Sequence, residues 1–195
     1  MKTLLKGGTV VNVFTDELQK ANVLIEDEKI IGVGDYSDTD ADCVHDISGK
    51  YVCPGFIDGH IHIESTMMLP TEFAKAAVLH GTCAVVSDPH EIANVCGGEG
   101  IEFMLEASEK LPLDVYVMVP SCVPATAFDE SGAELSAADI EPFYRHSRVL
   151  GLAEMMNYVG VVFGDEGVMA KINSANEKGK VINGHAPLLS GRDLD

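Results

Sequence analysis

Two hydrophobic rhythms divide the chain. Over residues 1–53, short runs rich in Val, Leu and Ile (residues 8–14, 21–26 and 29–34) are separated by turn-forming Asp, Glu and Gly, which predicts β-strands. Their alternation is imperfect and three strands are too few to close a sheet. Residues 1–53 are therefore expected to form a small β domain, an incomplete sandwich, with some pairing partners elsewhere in the chain. A polar stretch over residues 35–46 leads into the second rhythm.

From about residue 54 to residue 195, β-branched runs alternate with longer segments of helical period, the signature of βα units around a parallel sheet. The predicted strands cover residues 56–60, 83–87, 114–119, 149–153 and 181–183. A helix over 70–80 opens on Pro70 and closes before Gly81. A second, over 98–111, carries Ile101, Met104, Leu105 and Leu111 as one apolar stripe, which reads as core. A loop containing Pro120, Pro124 and Gly132 leads to a helix capped by Ser136 with Asp139 three positions on, and loops of that length are usually functional. A last helix spans 165–178, stopped by Gly179. The expected fold is α/β: a partial (β/α)8 TIM-type barrel of about five βα units behind a small amino-terminal β domain.

Four polar residues fall at strand ends, where apolar residues would be ordinary: His60, Asp88, Glu154 and His185. They recur at intervals of roughly thirty residues or twice that, the length of a βα unit. This places them together at the carboxyl ends of neighbouring strands, where α/β barrels build their sites. His60 and His62 alternate along an extended segment, so both imidazoles can reach one ion; the alternative is a surface turn with two solvated histidines. Glu154 follows an apolar run, where a carboxylate needs a partner or a cation and could bridge two metals. His185 has the same logic, with Gly184 permitting close backbone approach; by itself it could equally be a hydrogen-bonded core histidine. Glu64 is a candidate carboxylate supporting the ligands from behind. In the segment Ser87-Asp88-Pro89-His90-Glu91, Asp88, His90 and Glu91 could contact substrate, support the ligands or hold a further ion, or simply cap a helix.

Composition narrows the partners. A formal charge of −18, from 31 acidic and 13 basic residues, would repel phosphate backbones and anionic lipid, so neither nucleic acid nor membrane is expected. Five cysteines without a C-x-x-C pair, and no apolar run of membrane-spanning length, fit a reducing cytoplasm. Phosphate-binding glycine motifs, the G-x-S-x-G elbow and the zinc deaminase signature of base-flipping enzymes are absent from the sequence.

PGFIDGHIHIEST, following a small β domain, resembles the first barrel strand of the amidohydrolase superfamily. SDPHEIANVCG, VPSCVPAT, GLAEMMNYVGV and INGHAP together resemble the bacterial adenine deaminase family, over nearly the whole chain. The resemblance implies metal ligation by His60, His62, Glu154 and His185, with Glu154 as the bridging carboxylate where many relatives use a carbamylated lysine. It implies hydrolysis of adenine to hypoxanthine and ammonia at two divalent ions, Mn²⁺ or Fe²⁺, by a metal-bound hydroxide, with Glu154 and Asp88 as the catalytic carboxylates. Mixed His and carboxylate ligation also accommodates Zn²⁺. The family barrel has eight strands, with a further His ligand and a catalytic Asp beyond the fifth. The chain is thus expected to be the amino-terminal portion of a homo-oligomeric enzyme, lacking the carboxy-terminal barrel half. Two other readings stay open: an amidohydrolase acting on another cyclic amidine or amide, and a non-catalytic fragment that binds metal or a partner.

Overall fold

The computed structural model of the chain describes residues 1–126 and 128–194; Asp195, the end of the expected barrel portion, lies outside them. The chain divides into two compact units, Met1–Pro54 and a second beginning at Gly55.

The first unit contains β1 (Lys2–Lys6), β2 (Thr9–Asn12), β3 (Glu17–Lys20), β4 (Asn22–Glu26), β5 (Lys29–Gly34), β6 (Cys43–Asp46) and β7 (Tyr51–Val52). They form two sheets, ordered β5-β4-β1-β6 and β3-β2-β7. The expectation of distant pairing partners is corrected here, because the strands pair within the unit: β1 lies antiparallel to β4 and parallel to β6, and β2 pairs with β3 and β7. The additional strands escape a sequence reading because KTLLK, ELQK, CVHD and YV are too short or too polar to show a period-2 pattern. Leu4, Val23 and Leu24 are the buried apolar centre of this unit.

The second unit alternates strands and helices: β8 (Phe56–Ile61), α1 (Pro70–Val78), β9 (Thr82–Ser87), α2 (His90–Cys96), α3 (Gly98–Ala107), β10 (Asp114–Pro120), α4 (Ala137–Ile140), β11 (Val149–Met155), α5 (Tyr158–Phe163), α6 (Glu166–Glu177) and β12 (Val181–Gly184). All four strand pairings are parallel and the order is β12-β11-β10-β9-β8, so successive strands are neighbours. This is the winding of a (β/α) barrel, and the fold is α/β: a partial barrel of five strands together with a small β unit.

Local chemistry sets the helix limits. Asp165 caps α6 by accepting the Val168 N–H at 2.9 Å, and Ser136 with Asp139 forms the capping box of α4. The helix expected to reach residue 111 stops at Ala107, where the Ser108 hydroxyl donates to the Met104 carbonyl and Lys110 takes a positive φ. Two helices were unexpected. α2 lies in the polar SDPHEIANVCG segment, while α5, YVGVVF, has the composition of a strand but is capped by the Asn157 side chain.

On β10, Val115, Val117 and Val119 are buried, in register with the buried Val85 of β9 and Leu152 of β11. Ile101, Met104 and Leu105 bury the inner face of α3. Each fully buried Val, Leu or Ile side chain contributes about 1.5–3 kcal/mol, which holds the three central strands, β9, β10 and β11, in place. No helix among the described residues is long and apolar enough to cross a membrane.

Candidate functional site

Because the strands are parallel, their carboxyl ends lie on one side, and the polar residues at those ends converge there. His60 sits on β8 and His62 one residue beyond it. Asp88 follows β9, Glu154 is the penultimate residue of β11, and His185 follows β12. The Glu154 carboxylate is the centre of the group. Its Oε1 lies 2.6 Å from His60 Nε2 and 4.0 Å from His62 Nε2, while its Oε2 faces His185 Nε2 at 4.0 Å. The two oxygens of one carboxylate thus address two different sets of imidazoles. The Glu154 side chain is 17% exposed and that of His185 is 55% exposed.

His62 is held in a defined tautomer. His62 Nδ1 lies 2.8 Å from the carbonyl oxygen of Asp88, which can only accept, so Nδ1 carries the proton and Nε2 presents its lone pair to the site. His60 Nε2 and His62 Nε2 are 3.2 Å apart, with their rings edge to face. Two imidazole nitrogens at that separation, beside a carboxylate oxygen, match the spread of ligands around a divalent ion with bonds of about 2.1 Å. His60, His62 and Glu154 therefore fit a metal by donor type and by spacing.

Asp88 is fully buried, and its Oδ2 accepts the Glu154 N–H at 2.7 Å and lies 3.3 Å from His90 Nδ1. That contact with Asp88, opposed by burial and reinforced by the charges of Asp88, Glu154 and Glu91, raises the His90 pKa. Asp88 Oδ1 and Glu64 Oε2 are buried with no hydrogen-bond partner among the described residues. Glu64 Oε1 accepts from the Ile92 N–H at 3.4 Å, and burial pushes the Glu64 carboxyl above its usual range. Glu91, at the start of α2, accepts from the Ser65 hydroxyl. His62, Asp88 and His90 form a second group of donors behind the first.

The eight residue positions marked from the sequence thus divide in two. His60, His62, Asp88, Glu154, His185 and His90 share direct contacts, whereas Glu64 and Glu91 join residues 64–65 to the first turn of α2. One contact had no signal in the sequence: the Ser121 hydroxyl donates to the Glu154 carbonyl at 2.6 Å. Ser121 stands in the proline-bearing loop after β10, within the VPSCVPAT segment that the resemblance covers, but nothing in the sequence singled out the residue itself.

Comparison with known proteins bears on the fold and the family. The model of the amidohydrolase family matches residues 51–194. The chain is 46% identical over 191 residues to adenine deaminase of Desulfatibacillum aliphaticivorans, covering 98% of this chain and 33% of that protein. It is 49% identical over 189 residues to adenine deaminase of Bacillus licheniformis, covering 97% of this chain and 32% of that protein. The chain therefore spans about a third of the length of these relatives. Among solved structures, a D-aminoacylase superposes with a TM-score of 0.62 at 21% identity, over 94% of this chain and 44% of that one. A D-hydantoinase does so with a TM-score of 0.60 at 20% identity, over 95% and 40%. With five parallel strands in sequential order, a His-x-His pair on the first of them and a family match across the whole barrel portion, the chain belongs to the amidohydrolase family.

Proposed function

We propose that this chain supplies part of a two-metal site that hydrolyses adenine to hypoxanthine and ammonia. The observation that carries the proposal is the two-sided Glu154 carboxylate, with His60 and His62 at one oxygen and His185 at the other. The substrate comes from the relatives, which bear the name adenine deaminase at 46–49% identity. His60, His62, Glu154 and His185 hold the divalent ions, Mn²⁺ or Fe²⁺, with Zn²⁺ compatible with the same donors. Bound ions supply the lowered water pKa that makes a nucleophile at neutral pH.

The remaining work belongs to the side chains. Asp88 fixes the Glu154 peptide through Oδ2. Its other oxygen, buried and without a donor among the described residues, is the group that takes up a proton and passes it toward the departing ammonia. Glu64, His90 and Glu91 line the inner side of the site, where they support the ligands or meet the purine. The complete protein is a homo-oligomer acting in the cytoplasm, and its further barrel strands complete the metal and base contacts.

The test is turnover by the full natural protein loaded with Mn²⁺, against adenine, other cyclic amidines and cyclic amides. Adenine is expected to be consumed with release of ammonia, and His60→Ala to abolish it. A metal-loaded protein inert toward adenine would overturn the proposal.

A further inference from the structure

The proposed site depends on where one carboxylate stands, and the main chain carrying it is fastened at both its N–H and its carbonyl. On one side is the Asp88 carboxylate. On the other is Ser121, 2% exposed, whose own N–H donates to the Ala153 carbonyl at 2.7 Å while its hydroxyl donates to the Glu154 carbonyl at 2.6 Å. The regular β10–β11 ladder ends at the pair Pro120 and Ala153. Ser121 thus prolongs the pairing by one further rung, partly with its side chain, at the residue that bears the carboxylate.

Ser121 is itself anchored. Its carbonyl accepts from Lys171 Nζ at 2.7 Å, a contact that reaches across 50 positions from α6. A half-buried ammonium loses hydration, so a carbonyl acceptor here holds it firmly and gains a charge-assisted bond. Few roles explain a lysine placed in this way. The ionisable groups whose charges act on it are Cys122, Asp139 and Asp165, none of them among the site residues.

We infer that Ser121, anchored by Lys171, is a positioning residue that sets the height of Glu154 at the metal site. It acts through the Glu154 peptide and touches neither ion nor substrate. The inference rests on Glu154 being a metal ligand, as proposed above. Groups that orient ligands typically change metal affinity by roughly 10–100-fold when removed.

The test is calorimetric titration of the metal-free full natural protein with Mn²⁺, together with the electron paramagnetic resonance spectrum of the bound ion. Three variants are compared: Ser121→Ala, Ser108→Ala and Glu154→Gln. Ser108 is the control, a buried serine whose hydroxyl also donates to a main-chain carbonyl but which follows the last residue of α3, away from the site. Ser121→Ala is expected to weaken Mn²⁺ binding at least about tenfold and alter the spectrum, with Ser108→Ala unchanged in both. Equal losses in the two serine variants would reduce Ser121 to general stability and overturn the inference. So would tight Mn²⁺ binding by Ser121→Ala when Glu154→Gln binds poorly. If Glu154→Gln itself binds Mn²⁺ as the unmodified protein does, the ligand assignment has failed, and the positioning role falls with it. Should Ser121→Ala not fold, Lys171→Met carries the test, since it keeps the hydroxyl and releases only its anchor; a loss of affinity supports the role and no loss overturns it.

Discussion

The carboxylate of Asp88 and the main-chain N–H of Glu154 meet at 2.7 Å across 66 positions of sequence. They come from β9 and β11, which flank β10 and do not pair with each other. Replacing Asp88 with Ala leaves that N–H without an acceptor in a buried place, and denaturation of the metal-free protein in urea is expected to show a loss of about 1–3 kcal/mol. Asp88→Asn retains an oxygen that can accept and should lose distinctly less. Equal losses would mean that this hydrogen bond is not the source.

Metal should stabilise the fold. Mn²⁺ at about a hundred times its dissociation constant is expected to add about 2.7 kcal/mol, seen as a rise in thermal midpoint that a chelator reverses. His60→Ala and His62→Ala each remove two of the three contacts in the cluster of facing donors, and should abolish the rise. An undiminished rise in either variant would place the binding elsewhere.

Gly184 holds β12 close to β11. A Cβ at this position would meet the Met155 carbonyl oxygen at 2.5 Å and the Met155 nitrogen at 2.7 Å. Gly184→Ala must push β12 outward and carry His185 away from Glu154. Calorimetry is expected to show Mn²⁺ affinity falling by about tenfold or more. Unchanged affinity would mean that His185 contributes nothing at its present distance.

The Tyr144 hydroxyl is buried without a partner among the described residues, and burial, with the charge of Glu141 adding to it, pushes its pKa up to about 12. A tyrosine in an unfolded chain ionises near about 10. The folded state thus keeps a proton that the unfolded state has given up. The resulting stabilisation is fully present below pH 10 or so and is lost as pH rises through about 12. Tyr144→Phe should flatten the alkaline slope of stability, read from urea midpoints between those pH values. Identical slopes would show that another group is responsible.

Much of this arrangement is visible in the sequence because two signals coincide there. The runs ending before Asp88 and Glu154 are largely apolar, and the spacing of His60, Asp88 and Glu154 is that of βα units, so both the sheet and its polar rim can be read directly. Glu154 falls inside its strand, one residue short of the end, because its N–H finds the Asp88 carboxylate and the extended conformation continues to Met155. The small β unit is less legible. β1 pairs with β6 across the whole length of that unit, and such pairings depend on register, which residue types do not encode. α2 was hidden by its polarity, and α5 by a strand-like composition that its Asn157 cap overrides. Ser121 was beyond reach for a different reason: its part is played by a hydroxyl acting on a carbonyl, and neither group has a period.

The sequential order of the five strands also bears on how the protein comes together. Each strand need only find the one made just before it, a short loop closure repeated along the chain, so the sheet can grow by accretion as residues become available. The contact between Asp88 and Glu154 obeys a different timetable. It skips over β10, and it can close only after the strand between has been laid down. The last bond at the rim is therefore a report that the three strands beneath it are already in place.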